Sequence, residues 1–181
     1  MNKCVVVLLA LGLVVTINPA AYAQTDIGLK GIGARVGFAM PEDPIDNTIG
    51  FGVVAKLGTF TPDIAFDAFI DFWSKGYDVG TAEWKYTEIA LGAMAKYFFP
   101  AGGDIKPYAG GGLALHYGKI SWDDPFFGDF SDSDTDIGIH LAGGVEKAFS
   151  PKMTGFAEAK YAIGGADYFF ISAGVIFAMG G

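Results

Sequence analysis

Hydrophobic and polar residues alternate along the chain from about residue 27 onward, and this period of two predicts β-strands. In the first of them, Val36 and Phe38 share an apolar face while Arg35 lies on the other. No stretch after residue 23 reaches about 18 consecutive uncharged apolar residues, so the pattern excludes a membrane-spanning helix. Eight strands are predicted, at about 27–39, 48–59, 63–74, 83–99, 105–120, 135–148, 153–163 and 168–178.

The connections between these strands alternate in length. Three are short and rich in turn residues, at 59–63, 100–104 and 150–152. The intervening ones are predicted to be longer loops, at 40–47, 75–82 and 121–134, although the last connection, 164–167, is short again. Short turns at one end and longer loops at the other are typical of outer-membrane barrels, whose termini lie at the short-turn end.

The second face of the strands carries small residues and charges of both signs. Buried charges must be paired, so a mixed set suits a narrow interior better than a solvated surface. The pattern predicts an interior ion-pair network formed by Arg35, Lys56, Asp67, Asp71, Glu88, Lys96, Glu146, Glu158 and Lys160, with Lys106 as a fifth base against five acids. A soluble, lipocalin-like barrel would also alternate and is the alternative here.

The first 23 residues have the organisation of a secretory signal peptide. Lys3 precedes an apolar run at 5–15, and Ala21-Tyr22-Ala23 provides a cleavage site. We therefore expect a signal peptide at 1–23 and a single β-barrel domain at 24–181. Cys4, the only cysteine, precedes the apolar run, which disfavours lipidation, and export without disulfides suits a bacterial envelope protein.

Composition narrows the class further. The chain is 51% hydrophobic and only 18% charged, which excludes intrinsic disorder. Its 27 glycines argue against helical architectures, because an interior glycine costs about 1 kcal/mol against alanine in a helix. The net charge of −8 argues against nucleic acid as a partner.

Two tracts carry a family resemblance. The run Lys106-Pro-Tyr-Ala-Gly-Gly-Gly-Leu-Ala and the hairpin from Val145 to Tyr161 resemble the small outer-membrane barrels of the OmpA, OmpX and opacity-protein type. The resemblance implies an all-β, eight-stranded, antiparallel up-and-down barrel in the outer membrane of a Gram-negative bacterium. It also implies a monomer surrounded by outer-membrane lipid and lipopolysaccharide, assembled by periplasmic chaperones and the barrel-assembly machinery. The family ends in an aromatic residue, whereas here residues 178–181 follow Phe177, a departure that weakens the assembly signal.

An eight-stranded barrel has an interior just wide enough for side chains to fill. Tyr86, Tyr108, Tyr168 and Phe170 are predicted to fill it together with the charges. Aromatic residues near strand ends suit the two membrane interfaces. We expect one girdle at Phe60, Tyr97, Phe99 and Phe177, and another at Phe38, Trp73, Trp84 and Trp122.

The predicted loop at 121–134 has the densest charge. We expect this loop to be the surface that contacts a partner, because exposed phenylalanines can mark a contact surface. The alternatives are that its acids are simply solvated and that its phenylalanines fold back onto the rim of the barrel. The candidate contact residues are Asp123, Asp124, Phe126, Phe127, Asp129, Phe130, Asp132 and Asp134. The spacing of Asp132, Asp134 and Asp136 resembles a calcium loop, but glycine comes at the seventh position and Gly143 stands at the twelfth. Weak divalent-cation binding stays open, and no metal or cofactor site is predicted.

No catalytic constellation is evident. His116 and His140 share the inward face with Ser172 and Glu158, but no His-x-Ser pair exists, and two histidines are too few for zinc. An interior hydrogen-bonding role is expected. The sequence predicts a non-enzymatic barrel with a structural or surface-interaction role, in envelope integrity, adhesion or masking, for a ligand that it does not identify. A narrow channel for small solutes is the main alternative to this function. A lipid-modifying enzyme and a secreted, lipocalin-like binder are weaker alternatives.

Overall fold

The computed structural model describes residues 25–80, 82–124 and 128–179, apart from the side chain of Val79. The predicted signal peptide therefore lies outside the described residues, as do Phe126 and Phe127. Within the described part, no helix is long and apolar enough to cross a membrane.

Eight antiparallel strands form a closed ring, which confirms the predicted fold class. Each strand pairs with the next, and β8 closes the ring by pairing with β1. A closed ring leaves the barrel wall without a free sheet edge, as a lipid environment requires. The strands are β1 Asp26–Pro41, β2 Thr48–Thr61, β3 Ile64–Val79, β4 Ala82–Phe98, β5 Ile105–Asp123, β6 Phe130–Ser150, β7 Met153–Ile163 and β8 Tyr168–Ala178.

Alternate residues face opposite sides of the wall as the sequence pattern predicts. Phe38, Leu115 and Ile137 are 61%, 50% and 62% exposed on the outer surface. Arg35, one of the inward residues, is 6% exposed. An outer surface of large apolar side chains around a charged interior is the arrangement that a lipid environment stabilises.

Glycine allows the strands to approach closely around the narrow interior. A Cβ atom on the inward Gly112 would lie 2.1 Å from the carbonyl oxygen of Ala93 on the neighbouring strand. The adjacent Gly111 faces outward, and its Cβ would meet nothing nearer than 3.8 Å. The inward glycine is therefore required by packing, whereas the outward one is not.

The two ends of the barrel differ. The turn end carries the beginning of β1, the end of β8 and the connections at 62–63, 99–104 and 151–152. The hairpin end carries the connections at 42–47, 80–81, 124–129 and 164–167.

The predicted long loops at 75–82 and 121–134 are wrong, because β3–β6 continue through most of these residues. Tyr77 pairs with Trp84 across a turn at 80–81, and Trp122 pairs with Phe130 across the connection at 124–129. The outward face of these stretches is polar, so they lack the large apolar side chains that mark the membrane-facing segments of the strands. Their backbone pairing nevertheless runs on in unbroken register.

These continuations form one four-stranded structure, the protruding sheet, made of 74–79, 82–87, 118–123 and 130–135. On one side β2 stops pairing with β3 at Trp73. On the other, β7 pairs with β6 only from Ile139 onward. The nine residues of β6 before Ile139 therefore extend about 30 Å along the strand beyond its last partner on that side.

Candidate functional site: the barrel interior and the protruding sheet

The lower interior contains a group of linked ion pairs. Lys56 Nζ lies 2.5 Å from a carboxylate oxygen of Glu146, and Lys96 Nζ lies 3.8 Å from the other. Lys96 also lies 2.6 Å from Asp67 and 3.5 Å from Glu158. Lys56 is partly exposed towards the turn end, whereas the other side chains are almost completely buried.

Glu158 joins this group to a second one at mid-barrel. Arg35 donates hydrogen bonds of 2.7 Å from Nε and Nη2 to the two carboxylate oxygens of Asp71, and one of 2.7 Å from Nη1 to Glu158. Lys160 donates to Asp71, and the hydroxyl of Tyr108 donates to Glu158 at 2.8 Å. The result is one continuous network, here called the ion-pair ladder, with four bases and four acids: Lys56, Glu146, Lys96, Asp67, Glu158, Arg35, Asp71 and Lys160.

Aromatic rings close the space around the ladder. Lys160 Nζ lies 4.1 Å from the ring centre of Phe69, and the Arg35 guanidinium lies 5.3 Å from the same ring and 5.8 Å from that of Phe170. Lys96 Nζ lies 4.4 Å from the ring centre of Tyr108. Cations packed between carboxylates and aromatic faces are well compensated for the loss of water.

Glu88 belongs to a separate cluster nearer the hairpin end. Its carboxylate accepts a 2.8 Å hydrogen bond from the Tyr86 hydroxyl and lies 2.7 Å from His116 Nδ1. His116 Nε2 lies 2.8 Å from His140 Nε2, so one of these two nitrogens is protonated and the other is not. The partner of Glu88 is thus a histidine, with no lysine or arginine in the pair.

The prediction that Lys106 is an interior base is wrong. Lys106 is exposed and lines a cavity of about 450 Å³ at the turn end. The residue lies close to the beginning of β5, where inward positions are open to solvent rather than enclosed by the wall. The nine residues of the predicted interior network all point inward, and Lys56 is the most exposed of them.

The predicted girdle at the hairpin end is also partly wrong. Trp73 is 1% exposed inside the barrel, where its ring centre lies 5.3 Å from that of Tyr86 and 5.6 Å from that of Tyr168. Trp84 and Trp122 are half-buried on the inward face of the protruding sheet. Each of the three lies an even number of residues from an inward residue of its own strand. Strand alternation therefore decides which way these side chains point, and it outweighs the tendency of tryptophan to lie at the membrane interface.

A row of aromatic residues lies on the inward face of the protruding sheet, at the end farthest from the barrel. Tyr77 pairs with Trp84, Trp84 with Trp122, and Trp122 with Phe130, so one aromatic side chain comes from each of the four strands. The rings of Tyr77 and Trp84 are 5.1 Å apart between centres. Phe130, at the free edge, is 65% exposed. This aromatic row lies across the strands at the far end of the sheet.

A column of acids runs down the same face along β6. Asp132, Asp134 and Asp136 follow Phe130 at every second residue, so their side chains point the same way at intervals of about 7 Å. They line a cavity of about 240 Å³, whose other walls include Tyr86 and His116. A straight column does not wrap around an ion. In 25–80, 82–124 and 128–179, no group of three or more His, Cys, Asp or Glu residues could hold a metal.

The candidate contact loop is therefore distributed over three places. Asp123 ends β5 on the outward face, and Asp124 and Asp129 lie in the connection. All three line a second cleft together with Asp78 and Glu83. Phe130, Asp132 and Asp134 are strand residues of β6. The prediction of a loop is wrong for these three residues, because each of them pairs with a residue of β5.

A family model for the outer membrane protein beta-barrel domain matches residues 6–175. The chain belongs to this outer-membrane β-barrel family. It is accordingly a protein of the bacterial outer membrane, and the soluble-barrel alternative is excluded. Outer-membrane barrels have short periplasmic turns and longer extracellular loops, and by this rule we expect the protruding sheet to lie on the outer side of the membrane.

Three solved structures of outer-membrane proteins have a similar fold. Neisserial surface protein A is 23% identical, with a TM-score of 0.63 over 82% of this chain and 96% of that one. Ail, the attachment invasion locus protein of Yersinia pestis, is 15% identical in its complex with the heparin analogue sucrose octasulfate, with a TM-score of 0.58 over 83% and 100% of the two chains. A major outer membrane protein of Thermus thermophilus also has a TM-score of 0.58 at 12% identity, over 82% and 98%. No curated protein sequence matches the chain.

Proposed function

We propose that the protein is a non-enzymatic surface-interaction barrel whose binding element is the protruding sheet. The observation that carries this proposal is the continuation of β3–β6 beyond the barrel, where the inward face turns from sealed to open. A sheet that served only to anchor the protein would need no more length than the membrane requires. The extra length presents aromatic and acidic side chains to the outside.

The membrane-embedded part then serves as the anchor. Its interior is filled by the ion-pair ladder and by Trp73, Tyr168 and Phe170, each about 1% exposed. Outer-membrane lipid and lipopolysaccharide would surround this monomeric part, and periplasmic chaperones and the barrel-assembly machinery would deliver it. Ail is named as an attachment and invasion protein, and a related role in adhesion or masking suits the protruding sheet.

A narrow channel is the second candidate, and one observation favours it. A cavity of about 450 Å³ lies at the turn end of the barrel and one of about 240 Å³ at the hairpin end. Conduction would require the ladder to rearrange, because Arg35, Asp71 and Lys160 occupy the space between them.

Trimming the sheet tests the proposal. One variant joins Gly76 to Lys85 and Lys119 to Ser133 by Asn-Gly turns, which suit two-residue hairpins, at positions that already pair across the strands. The matched control keeps the sheet and carries Asp104→Asn with Lys106→Gln at the turn end. Adhesion of expressing cells to a basement-membrane matrix is compared with vector-only cells, and heat-modifiable gel migration verifies folding.

We expect the full chain and the control to raise adhesion above the vector level, and the trimmed variant to return to that level while still folded. Equal adhesion of full-length and trimmed cells would contradict the proposal, as would full-length adhesion no higher than that of the vector. Stepwise conductance of the purified full chain in planar bilayers, without any gain in adhesion, would establish the channel instead.

A further inference from the structure

The inward face of the protruding sheet combines two kinds of side chain at right angles. The aromatic row crosses the four strands, and the acidic column of Asp132, Asp134 and Asp136 descends β6 from one end of that row. Neighbouring strands are about 4.8 Å apart, so the row spans roughly 14 Å. Phe130 and the column stand at the open edge of the sheet, where β7 has already ended.

Acids outnumber bases on this face. Lys75 is the base among the described inward side chains of the sheet, and its ammonium lies 3.7 Å from Asp46 in the connection after β1. Lys85 and Lys119 have the parity of the outward face. Asp132 and Asp134 each accept a hydrogen bond from the backbone N–H of the following residue, and both side chains remain exposed.

We propose that this face binds an extended, arginine-rich segment of a partner protein. The inference rests on the proposed surface-interaction function and names its partner class. Guanidinium groups stack on aromatic rings and pair with carboxylates through two parallel hydrogen bonds, so arginine matches both parts of the face. Lysine matches the carboxylates but lacks the planar group that stacks.

The spacing of the acids selects an extended segment. Alternate side chains of an extended peptide recur about every 7 Å, which is the interval between successive carboxylates in the column. A peptide lying along β6 with arginine at every second position therefore places one guanidinium at each aspartate. The cavity of about 240 Å³ beside Asp134 and Asp136 has room for one such side chain.

Peptide binding to the full chain in lipid nanodiscs tests the proposal. The probe is a fluorescent twelve-residue peptide of alternating Arg and Ser, measured by anisotropy at 150 mM salt. Two peptides accompany it: alternating Lys and Ser, and a block peptide of six Arg followed by six Ser. We expect the alternating Arg peptide to bind at least about fivefold more tightly than either.

Two sets of variants locate the site. The triple change Asp132→Asn, Asp134→Asn and Asp136→Asn should weaken the alternating Arg peptide at least about tenfold. The control removes the same charge from the outward face of the same sheet, by Asp78→Asn, Glu83→Gln and Asp123→Asn, and should change binding less than about threefold. Trp122→Leu should weaken the Arg peptide about fivefold and the Lys peptide less than twofold, with the outward Tyr117→Leu as its control.

Equal losses in the two triple variants would overturn the proposal in favour of nonspecific attraction by net charge. Equal binding of all three peptides would overturn it as well, as would tighter binding of Ca²⁺ or of a neutral oligosaccharide at the same residues. The proposed function fails separately: adhesion that survives trimming refutes it even if the arginine peptide binds at the acidic column. Adhesion lost on trimming, with peptide binding unaffected by the triple change, refutes the arginine partner alone.

Discussion

The same four strands, β3–β6, build two regions of opposite character. Inside the membrane their inward side chains meet those of β1, β2, β7 and β8, and every ladder acid lies near a base. Above the membrane β7 has ended, and the inward acids of β6 face open space. Closure of the ring, rather than the character of the strands, therefore decides whether a carboxylate is a structural group or an available one.

The sealed region should be the more sensitive to substitution. Arg35→Ala removes the guanidinium that binds both Asp71 and Glu158, and it leaves the four ladder acids with three bases. We expect a loss of about 3–5 kcal/mol in the free energy of unfolding, measured by urea titration in lipid vesicles.

Lys30→Ala is the matched control, because it breaks an exposed ion pair with Asp26. Such exposed pairs contribute about 0–1 kcal/mol. Similar losses in the two variants would mean that the ladder is not sealed from solvent.

Close packing of the wall gives the next largest effect. Gly112→Ala places a methyl group against the backbone of Ala93, and overpacking of this kind costs about 1–3 kcal/mol. Gly111→Ala on the outward face should change the free energy of unfolding by less than about 0.5 kcal/mol. The same urea titration compares the two, and a larger effect at Gly111 would contradict the assignment of the faces.

The sequence predicts the sealed region better than the open one. Within the membrane, lipid imposes a strict period of two, so the inward position of Arg35, Asp71 and Lys160 follows from parity alone. The pairing partners do not follow, because Arg35 and Glu158 are 123 residues apart and meet only through closure of the ring. For the same reason, the contact between His116 and His140 depends on the stagger of β5 against β6.

Above the membrane the rule that makes strands recognisable no longer holds. Both faces are wet, so the run from Ser131 to Thr135 has the composition of a loop although it forms a paired strand. Trp73 was predicted at the membrane interface because it lies near the end of a predicted strand. It is two residues from the inward Asp71, so strict alternation would have predicted its observed position inside the barrel.

The open region should tolerate changes that the sealed one does not. The triple change Asp132→Asn, Asp134→Asn and Asp136→Asn leaves pairing intact and removes mutual repulsion. We expect the free energy of unfolding to stay within about 0.5 kcal/mol of the parent value in the same titration. A loss of several kcal/mol would show that these carboxylates are structural, as those of the ladder are.

Cysteine accessibility on intact cells tests the central claim most directly. Cysteine is introduced separately at Asp132 in the acidic column, at Ala114 in the sealed interior, and at Asp104 at the turn end, and a membrane-impermeant maleimide is applied. The parent chain, whose one cysteine is Cys4, gives the background. The account predicts labelling at 132, none at 114, and labelling at 104 only after permeabilisation. Labelling at 104 on intact cells, with 132 protected, would contradict it.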